Sequence, residues 1–451
     1  KRRKFGHRSP PPARAPVKMA DVRCSRFVTQ SSAGPSASPE DQPRPWTARV
    51  AGALSHRNYR ILWLAALGST IGTWMQKYAQ GLLVYDLTKS SFYLGLDDFL
   101  SQLPILLFML IGGVIADRHD RRSLLRMSQY VQAFSAFGLA IMVWTGHAHI
   151  AFIFALSFIS GCGQAFGGPA YQAMIPSLVP KRDLPNAIAL NSTQFNLSRV
   201  LGPSGGALVL ATIGTAWCFF ANGLSFFLVV IALAAMQLPK HVPALNRGAV
   251  SDELRSGLHY VRDNRVLRTL TVLVTLSTFL AMPILTMLPA FAHEVLTSTG
   301  RPETRLSMLM ASQGFGAIVG ALLVGIIGAT TNLGRVLLTV QMGLGLLIAA
   351  FAVSTSLTLS MVLLFLVGIL FMALFSISFS LLQMTVPDNL RGRVVSIYMV
   401  ALRGGGPLGA LVAGALADQF TTASVMAVNG VLLALISGGM FVMKRGSALT
   451  T

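Results

Sequence analysis

From Tyr59 onward the chain is a succession of apolar runs separated by short polar turns. A hydrocarbon core about 30 Å thick needs about 20 helical residues to cross it, and runs of that length lie near 59–86, 91–116, 123–145, 149–175, 186–212, 215–238, 267–292, 304–329, 335–355, 358–384, 391–416 and 423–443. The breaks between them carry turn chemistry, as in "DLTKSS", "DRHDRR", "TGHAH", "VPKRDLPN", "TSTGRPET" and "TVPDNLRGR". Only 12% of the 451 residues are charged, against about 25% in a soluble domain. The expectation is an all-α integral membrane protein with twelve transmembrane helices.

The net charge of +20 does not point to nucleic acid, because the basic residues fall between apolar runs and in the first sixty positions rather than in one patch. The even-numbered turns hold Arg118, Arg121, Arg122, Lys181, Arg182, Arg335, Arg391 and Arg393; the odd-numbered side has little beyond Lys89, Arg301 and Arg305. By the positive-inside rule both termini are cytoplasmic, in a multi-pass cell-membrane protein, with a bacterial inner membrane expected. The stretch 239–266 is the only long internal connection. In it "VSDELRSGLHYVRDN" places Asp252 and Glu253 ahead of Leu254, Leu258 and Val261, the pattern of a short interfacial helix. It divides the chain into six-helix sets at 58–238 and 267–445, flanked by a basic tail over 1–57 and a short tail over 446–451. The Ser-, Pro- and Gly-rich N-terminal tail has no apolar period and is expected to be disordered, with no leader-like apolar stretch and with Met19 as an alternative start. Cys24, Cys162 and Cys218 are scattered and suggest neither a disulfide framework nor a metal cluster.

"RVLGPSG" at 199–205 and "RGGGPLG" at 403–409 both read R-x-x-G-P-x-G, and the arginines and the prolines are each 204 residues apart. Ser192 and Ser396 keep that offset, so span 11 repeats span 5, as parallel repeats about an axis along the membrane normal require. In this repeat Gly202, Pro203, Gly205, Gly406, Pro407 and Gly409 are expected to allow bending and close packing where the two halves move on each other.

"GGVIADRHDRRSLL" between spans 2 and 3 resembles the signature loop of the major facilitator superfamily. Gly113, Asp117, Arg118, Arg121 and Arg122 match, while Asp120 stands where that pattern usually has glycine. The stretches 58–95 and 381–418 further resemble the branch containing the enterobactin exporter and macrolide-efflux-like proteins. The resemblance implies two pseudo-symmetric six-helix bundles, alternating access, and secondary active export of a siderophore or hydrophobic drug, commonly by proton antiport. "GPSGG" is similar to part of the span-5 antiporter motif, though its spacing differs. The resemblance also implies a cytoplasmic gate, with Asp117 at the end of span 2 meeting Arg391, Arg393 or the N-terminus of span 11; the competing reading is that Arg118, Arg121 and Arg122 only fix topology. The second copy, "GIIGATTNLGRVLL", has Arg335 but no Asp, so a charged gate would be asymmetric.

Coupling to protons needs a titratable group inside the membrane. Lys77 near the end of span 1 and Asp97 and Asp98 near the start of span 2 fall at similar depth, about 12 Å inside the outer face at 1.5 Å per residue. One carboxylate pairs with Lys77 and the second is free to take a proton; a structural ion pair without a coupling role is the alternative. Cavity candidates are Thr73, Gln76 and Gln80 on the Lys77 face of span 1, Gln164, Tyr171 and Gln172 on span 4, and Asn196 and Arg199 on span 5, with Arg403 on span 11. Trp74, Tyr78 and Phe166 are candidate aromatic walls, against simple packing roles. The two arginines suit an anionic or phenolic substrate, or else hold span 5 against span 8 and span 11 against span 2, where Asp97 or Asp98 is a possible partner for Arg403.

No G-x-x-x-x-G-K-[ST] or H-E-x-x-H occurs, so neither an ATP-driven pump nor a metallopeptidase is indicated. His293–Glu294 reads as a solvated rim. No enzyme, cofactor or metal is expected; the partners are a small-molecule substrate, protons and the bilayer, with a monomer as the working form. A facilitator or importer of a small metabolite, and a non-transporting receptor or scaffold, are the alternatives.

Overall fold

The computed structural model describes residues 52–118, 120–236, 250–296, 300–327, 332–387 and 390–443, apart from the side chains of 109–118, 250–256, 325–327 and 391–392. The expected tails therefore lie largely outside the described residues, as do the side chains of Asp252 and Glu253. The helices are α1 (Arg57–Thr88), α2 (Ser91–Arg118), α3 (Arg121–Trp144), α4 (Ile150–Leu178), α5 (Leu184–Thr212), α6 (Thr215–Ala235), α7 (Val250–Asp263), α8 (Arg265–Ala281), α9 (Pro283–Thr286), α10 (Leu288–Glu294), α11 (Pro302–Ile327), α12 (Leu333–Ala352), α13 (Leu357–Thr385), α14 (Arg391–Gln419) and α15 (Thr422–Val442). α1 to α6 are spans 1 to 6, and α11 to α15 are spans 8 to 12.

Span 7 departs from expectation. Instead of one helix over 267–292 it is three consecutive segments, α8, α9 and α10, interrupted at Met282 and Met287. Pro283 and Pro289 each lack the N–H that would continue the ladder and crowd the carbonyl one turn back, so the axis breaks twice. By length and hydropathy alone, eight of the described helices qualify as membrane spans. α1, α3 and α5 fall outside that set although each is at least 24 residues long. Their polar side chains lower the average without facing lipid: Gln80, Gln129, Gln132 and Gln194 are all buried.

The main packing pairs of the first six spans recur in the second six. α1 packs on α5 and α6 as α8 packs on α14 and α15; α2 on α4 as α11 on α13; α3 on α4 and α6 as α12 on α13 and α15. The halves meet through α2 against α14 and α5 against α11, which are themselves a repeat-related pair. The chain is thus a twelve-span membrane protein of two pseudo-symmetric six-helix bundles.

Glycine sets how closely these helices approach. A Cβ at Gly316 would overlap the Phe365 carbonyl oxygen and one at Gly368 that of Gln313, so α11 and α13 touch backbone to backbone. Gly95 and Gly414 play the same part between α2 and α14, across the halves. The R-x-x-G-P-x-G glycines do not pack there, contrary to expectation. Gly202 closes α5 onto Trp74 of α1, Gly406 and Gly409 close α14 onto Met282 and Phe279, and Gly205 faces open space. For Gly202, Gly406 and Gly409 the nearest atoms belong to the same half.

Asp120 explains its own departure from the signature pattern. Lying between α2 and α3, it is the N-cap of α3 and accepts from the backbone N–H groups of Arg122 and Ser123 and from the Ser123 hydroxyl. Partial burial pushes the carboxyl up, but these hydrogen bonds outweigh it and hold the group below its ordinary value. α7 packs on the start of α14, with Gly257 against Ile397 and Arg393. Arg305, counted above among loop charges, is 5% exposed and belongs to the packed end of α11.

Because the folded-state pKa of Asp120 is depressed, its contribution is present above the ordinary carboxylate pKa and is lost as pH falls through the folded value. Asp120→Ala should therefore cost about 1 kcal/mol at neutral pH. The difference in thermal midpoint from wild type should shrink below about pH 4; a pH-independent difference would show that the cap is not acting as a carboxylate.

Candidate functional site

Residues that the sequence grouped into one coupling trio separate into two connected sites. Lys77 of α1 donates to Asp98 Oδ1 at 3.0 Å, and Thr286 of the short α9 stands 3.5 Å from Asp98 Oδ2. The Lys77 side chain is 53% exposed and that of Asp98 only 14%, so the pair has one end open and the other packed between the halves. Asp97 turns the other way, into the first half, where the Ser157 hydroxyl donates to its Oδ1 at 2.6 Å and the Gln80 amide to its Oδ2 at 2.7 Å. Neither carboxylate has Arg403 among these partners. The α1 stripe likewise splits: Thr73 and Lys77 are exposed, whereas Gln80 is buried and Gln76 joins Gln80 and Asn222 of α6.

Arg199 donates to Gln313 Oε1 of α11 at 2.6 Å and lies 5.3 Å from the ring centroid of Trp74. It therefore ties α5 to the opposite half while stacking on its own. Pro203, four residues on, lacks the N–H that would have bonded the Arg199 carbonyl, and Gly314 of α11 packs against that carbonyl. Lys77 also approaches Trp74, 5.9 Å from its centroid, and Phe195 meets the ring edge-on. Arg403, the repeat mate of Arg199, is exposed on α14. Gln164 and Gln172 are exposed on α4, and Tyr171 donates to Asn191 at 2.9 Å.

Two cavity candidates are corrected. Asn196 is buried and donates to the Ser192 carbonyl of its own helix. Tyr78, 1% exposed, donates across the halves to the Glu303 carbonyl at 2.7 Å; it is interface packing and not an aromatic wall. Phe166 stacks on Phe108 of α2.

At the gate expected at the even-turn end, the side chains of Gly113, Asp117, Arg118 and Arg391 lie outside the described residues. Arg121 donates to the Ala173 carbonyl at 2.8 Å and Arg122 to that of Ala234 at 3.4 Å, joining the start of α3 to α4 and to the last turn of α6. Arg393 lies against Gly257 of α7.

Contacts between the halves gather at the opposite, odd-turn end, which the sequence did not single out. Asp418, in the last turn of α14, accepts from Ser91 N–H at 2.7 Å, Phe92 N–H at 3.3 Å and the Ser90 hydroxyl. A carboxylate of one half thereby caps the N-terminus of a helix in the other, on its favourable dipole end. Tyr85 donates to Glu294 at 2.7 Å, and His293 stands 3.3 Å from Asp86 and 3.0 Å from the Pro289 carbonyl. The His293–Glu294 pair is thus part of the joint rather than a rim alone. The available signal was "DQF" at the end of span 11, with no carboxylate at the matching end of span 5.

Comparison with known proteins agrees with this architecture. The family model described as transmembrane secretion effector matches residues 49–448, and the chain belongs to that family of the major facilitator superfamily. The enterobactin exporter EntS of Salmonella choleraesuis (strain SC-B67) is 24% identical over 87% of this chain and 93% of that protein. The multidrug efflux pump Tap of Mycolicibacterium fortuitum is 27% identical over 70% and 78%. Among solved structures, the nucleoside transporter NupG superposes with a TM-score of 0.66 at 15% identity, covering 85% of this chain and 99% of that one. A bacterial homologue of the human lysosomal transporter Spinster, inward-facing and unoccupied, gives 0.61 at 15% identity, covering 87% and 91%. These likenesses give the fold. The chain is a membrane transporter and not an enzyme.

If the Asp418 cap holds the odd-turn end shut, Asp418→Ala should shift the balance toward opening by about 1–2 kcal/mol, or about 5–30-fold. Ser307, buried where α11 meets α5, reports this. In a background lacking Cys24, Cys162 and Cys218, maleimide should label Ser307→Cys several-fold faster when Asp418 is Ala. An unchanged rate would remove Asp418 from the gate.

Proposed function

We propose that this protein is a proton-coupled exporter of a small amphipathic molecule, a siderophore or hydrophobic drug, working by alternating access as a monomer between two bundles, 58–238 and 267–445. Its even-turn end faces the cytoplasm, as the loop charges favour, and the joint through Asp418 is then the outer gate. The observation that carries this reading is the exposure of Thr73, Lys77, Gln164, Gln172 and Arg403 on membrane-crossing helices. A charge facing acyl chains is costly, whereas one facing a water-filled pathway is not, so these side chains line a solvated cavity between the halves. Arg403 supplies a positive wall for an anionic or phenolic group, and Arg199 with Trp74 a cation–aromatic one.

Asp97 is the proton site in this scheme. Asp98 already has a cationic partner in Lys77, while Asp97 is held by the neutral donors Ser157 and Gln80. A scaffold or receptor has no use for a solvated intramembrane ion pair beside a second carboxylate.

The decisive measurement uses inside-out vesicles with an inward-acid pH gradient, challenged in turn with a catechol siderophore, a macrolide and a cationic dye. One compound should elicit proton release. Asp97→Asn should lose that release while still passing labelled substrate down its own gradient. Wild-type proton release from both Asp97→Asn and Asp98→Asn would overturn the coupling assignment, and flux without any proton release would identify a facilitator. In the same assay Arg199→Leu should abolish flux with protein still inserted, and Arg199→Lys should keep part of it through its remaining charge. Full flux from Arg199→Leu would remove Arg199 from the transport cycle.

A further inference from the structure

Asp97 ends an unbroken ladder of side-chain hydrogen bonds that crosses the first half from α2 to α6. Gln80 Nε2 donates to Asp97 at 2.7 Å and to Ser157 Oγ at 2.8 Å. Gln76 Nε2 donates to Gln80 Oε1 at 3.3 Å, Asn222 Nδ2 to Gln76 Oε1 at 2.7 Å, and the Ser225 hydroxyl stands 3.1 Å from Asn222 Oδ1. A side chain on Gly72 would fill this junction, since its Cβ would fall 2.7 Å from Asn222 Oδ1.

The direction of every rung follows from the first. An ionised carboxylate only accepts, so Ser157 spends its single proton on Asp97 and must accept from Gln80. Gln80 therefore presents its NH₂ to both and its carbonyl oxygen to Gln76. Gln76 must then donate with its NH₂ and accept with its carbonyl oxygen, and Asn222 must do the same one rung further. The amides of Gln80, Gln76 and Asn222 all point their positive ends toward Asp97, and aligned hydrogen bonds of this kind strengthen one another. The other charged groups at this level, Lys77 and Asp98, are engaged with each other.

We infer that Asn222, which does not touch Asp97, is a positioning residue for it: through Gln76 it fixes the amide of Gln80 on the carboxylate and carries the charge state of Asp97 to α6. A proton added to Asp97 Oδ2 makes that oxygen a donor facing another donor, Gln80 Nε2. Where that proton points at Gln80, the clash is relieved when Gln80 turns its carbonyl oxygen inward, which sets its NH₂ against that of Gln76 and passes the reversal on to Asn222. Protonation on one helix thereby changes the hydrogen bonding between two others. This inference rests on Asp97 as the proton site only for its consequence in transport; the ladder itself is tested apart from transport.

Infrared difference spectra of the purified full-length protein, with ¹³C-carboxyl aspartate and bands assigned by Asp97→Asn, read the carboxylate directly. Asn222→Ala and Asn222→Asp should both displace the Asp97 carboxylate band, the latter because an acceptor at 222 turns Gln76 around. Ser225→Ala, which leaves the Asn222 amide donating to Gln76, should displace it less. An Asp97 band unmoved in both Asn222 variants, with normal folding by size-exclusion chromatography, would overturn the inference. Proton release from Asn222→Ala vesicles supplies the transport consequence. A displaced band with wild-type proton release in Asp97→Asn would keep the ladder and discard Asp97 as the coupling site.

Discussion

Five charged side chains, Lys77, Asp97, Asp98, Arg199 and Arg403, sit well inside helices that cross the membrane, and the arrangement of the first half follows from the need to satisfy them. Hydrocarbon offers no hydrogen bonds and penalises charge, so each such group must find a protein partner or a solvated cavity. Asp98 takes Lys77, Arg199 takes Gln313 and the face of Trp74, and Asp97 takes Ser157 and Gln80. α1 contributes to three of these solutions. That is why its composition falls short of an ordinary span and why it is packed on both sides by α5 and α6.

Around this chemistry the scaffold is symmetric and the chemistry is not. Helix pairing repeats between the halves, as does the arginine–proline spacing that frees one carbonyl per copy. Yet Arg199 is bound across the interface while Arg403 is exposed, and the Asp418 cap has only Gly214 at the matching position. The acidic pair is confined to the first half. Symmetry supplies two bundles able to rock on each other; single-copy residues such as Asp97 and Asp418 are where one orientation can be favoured over another.

The number of spans, their ends and the repeat were legible because lipid imposes a length and a hydropathy on each helix, and because Arg, Gly and Pro at fixed spacing are rare in apolar surroundings. The double break in span 7 was legible in principle from Pro283 and Pro289, but a proline in a membrane helix does not say whether the helix bends or breaks. Lys77 and Asp98 could be placed at one depth by counting from the turn. Their separation from Asp97 could not, because adjacent residues on a helix diverge by about 100° and only the neighbouring helices decide which one faces inward. The same limit hid Tyr78 and Asn196, whose polar groups look like cavity lining until packing closes over them. The Asp418 cap was invisible for a different reason: it joins residues more than 320 positions apart, with no local pattern in either partner.

The proposed antiport also assigns different work to the two ends of α2. Its N-terminus is capped by Asp418 of the other half, and within two turns of that cap it carries Asp97 and Asp98, the first facing its own half and the second facing α9 across the interface. A change in charge at Asp97 acts on a helix already fastened to both halves. If the ladder from Gln80 to Asn222 reverses on protonation, α1 and α6 respond within the same bundle, while the Asp98–Thr286 contact lies on the same helix one residue away. The break in span 7 places Thr286 on a four-residue segment between two interruptions, where a small displacement of Asp98 is absorbed locally rather than along a whole span. Coupling in this arrangement needs no long-range pathway: the proposed proton site, the ion pair and the proposed gate share one helix, and moving that helix would move all three.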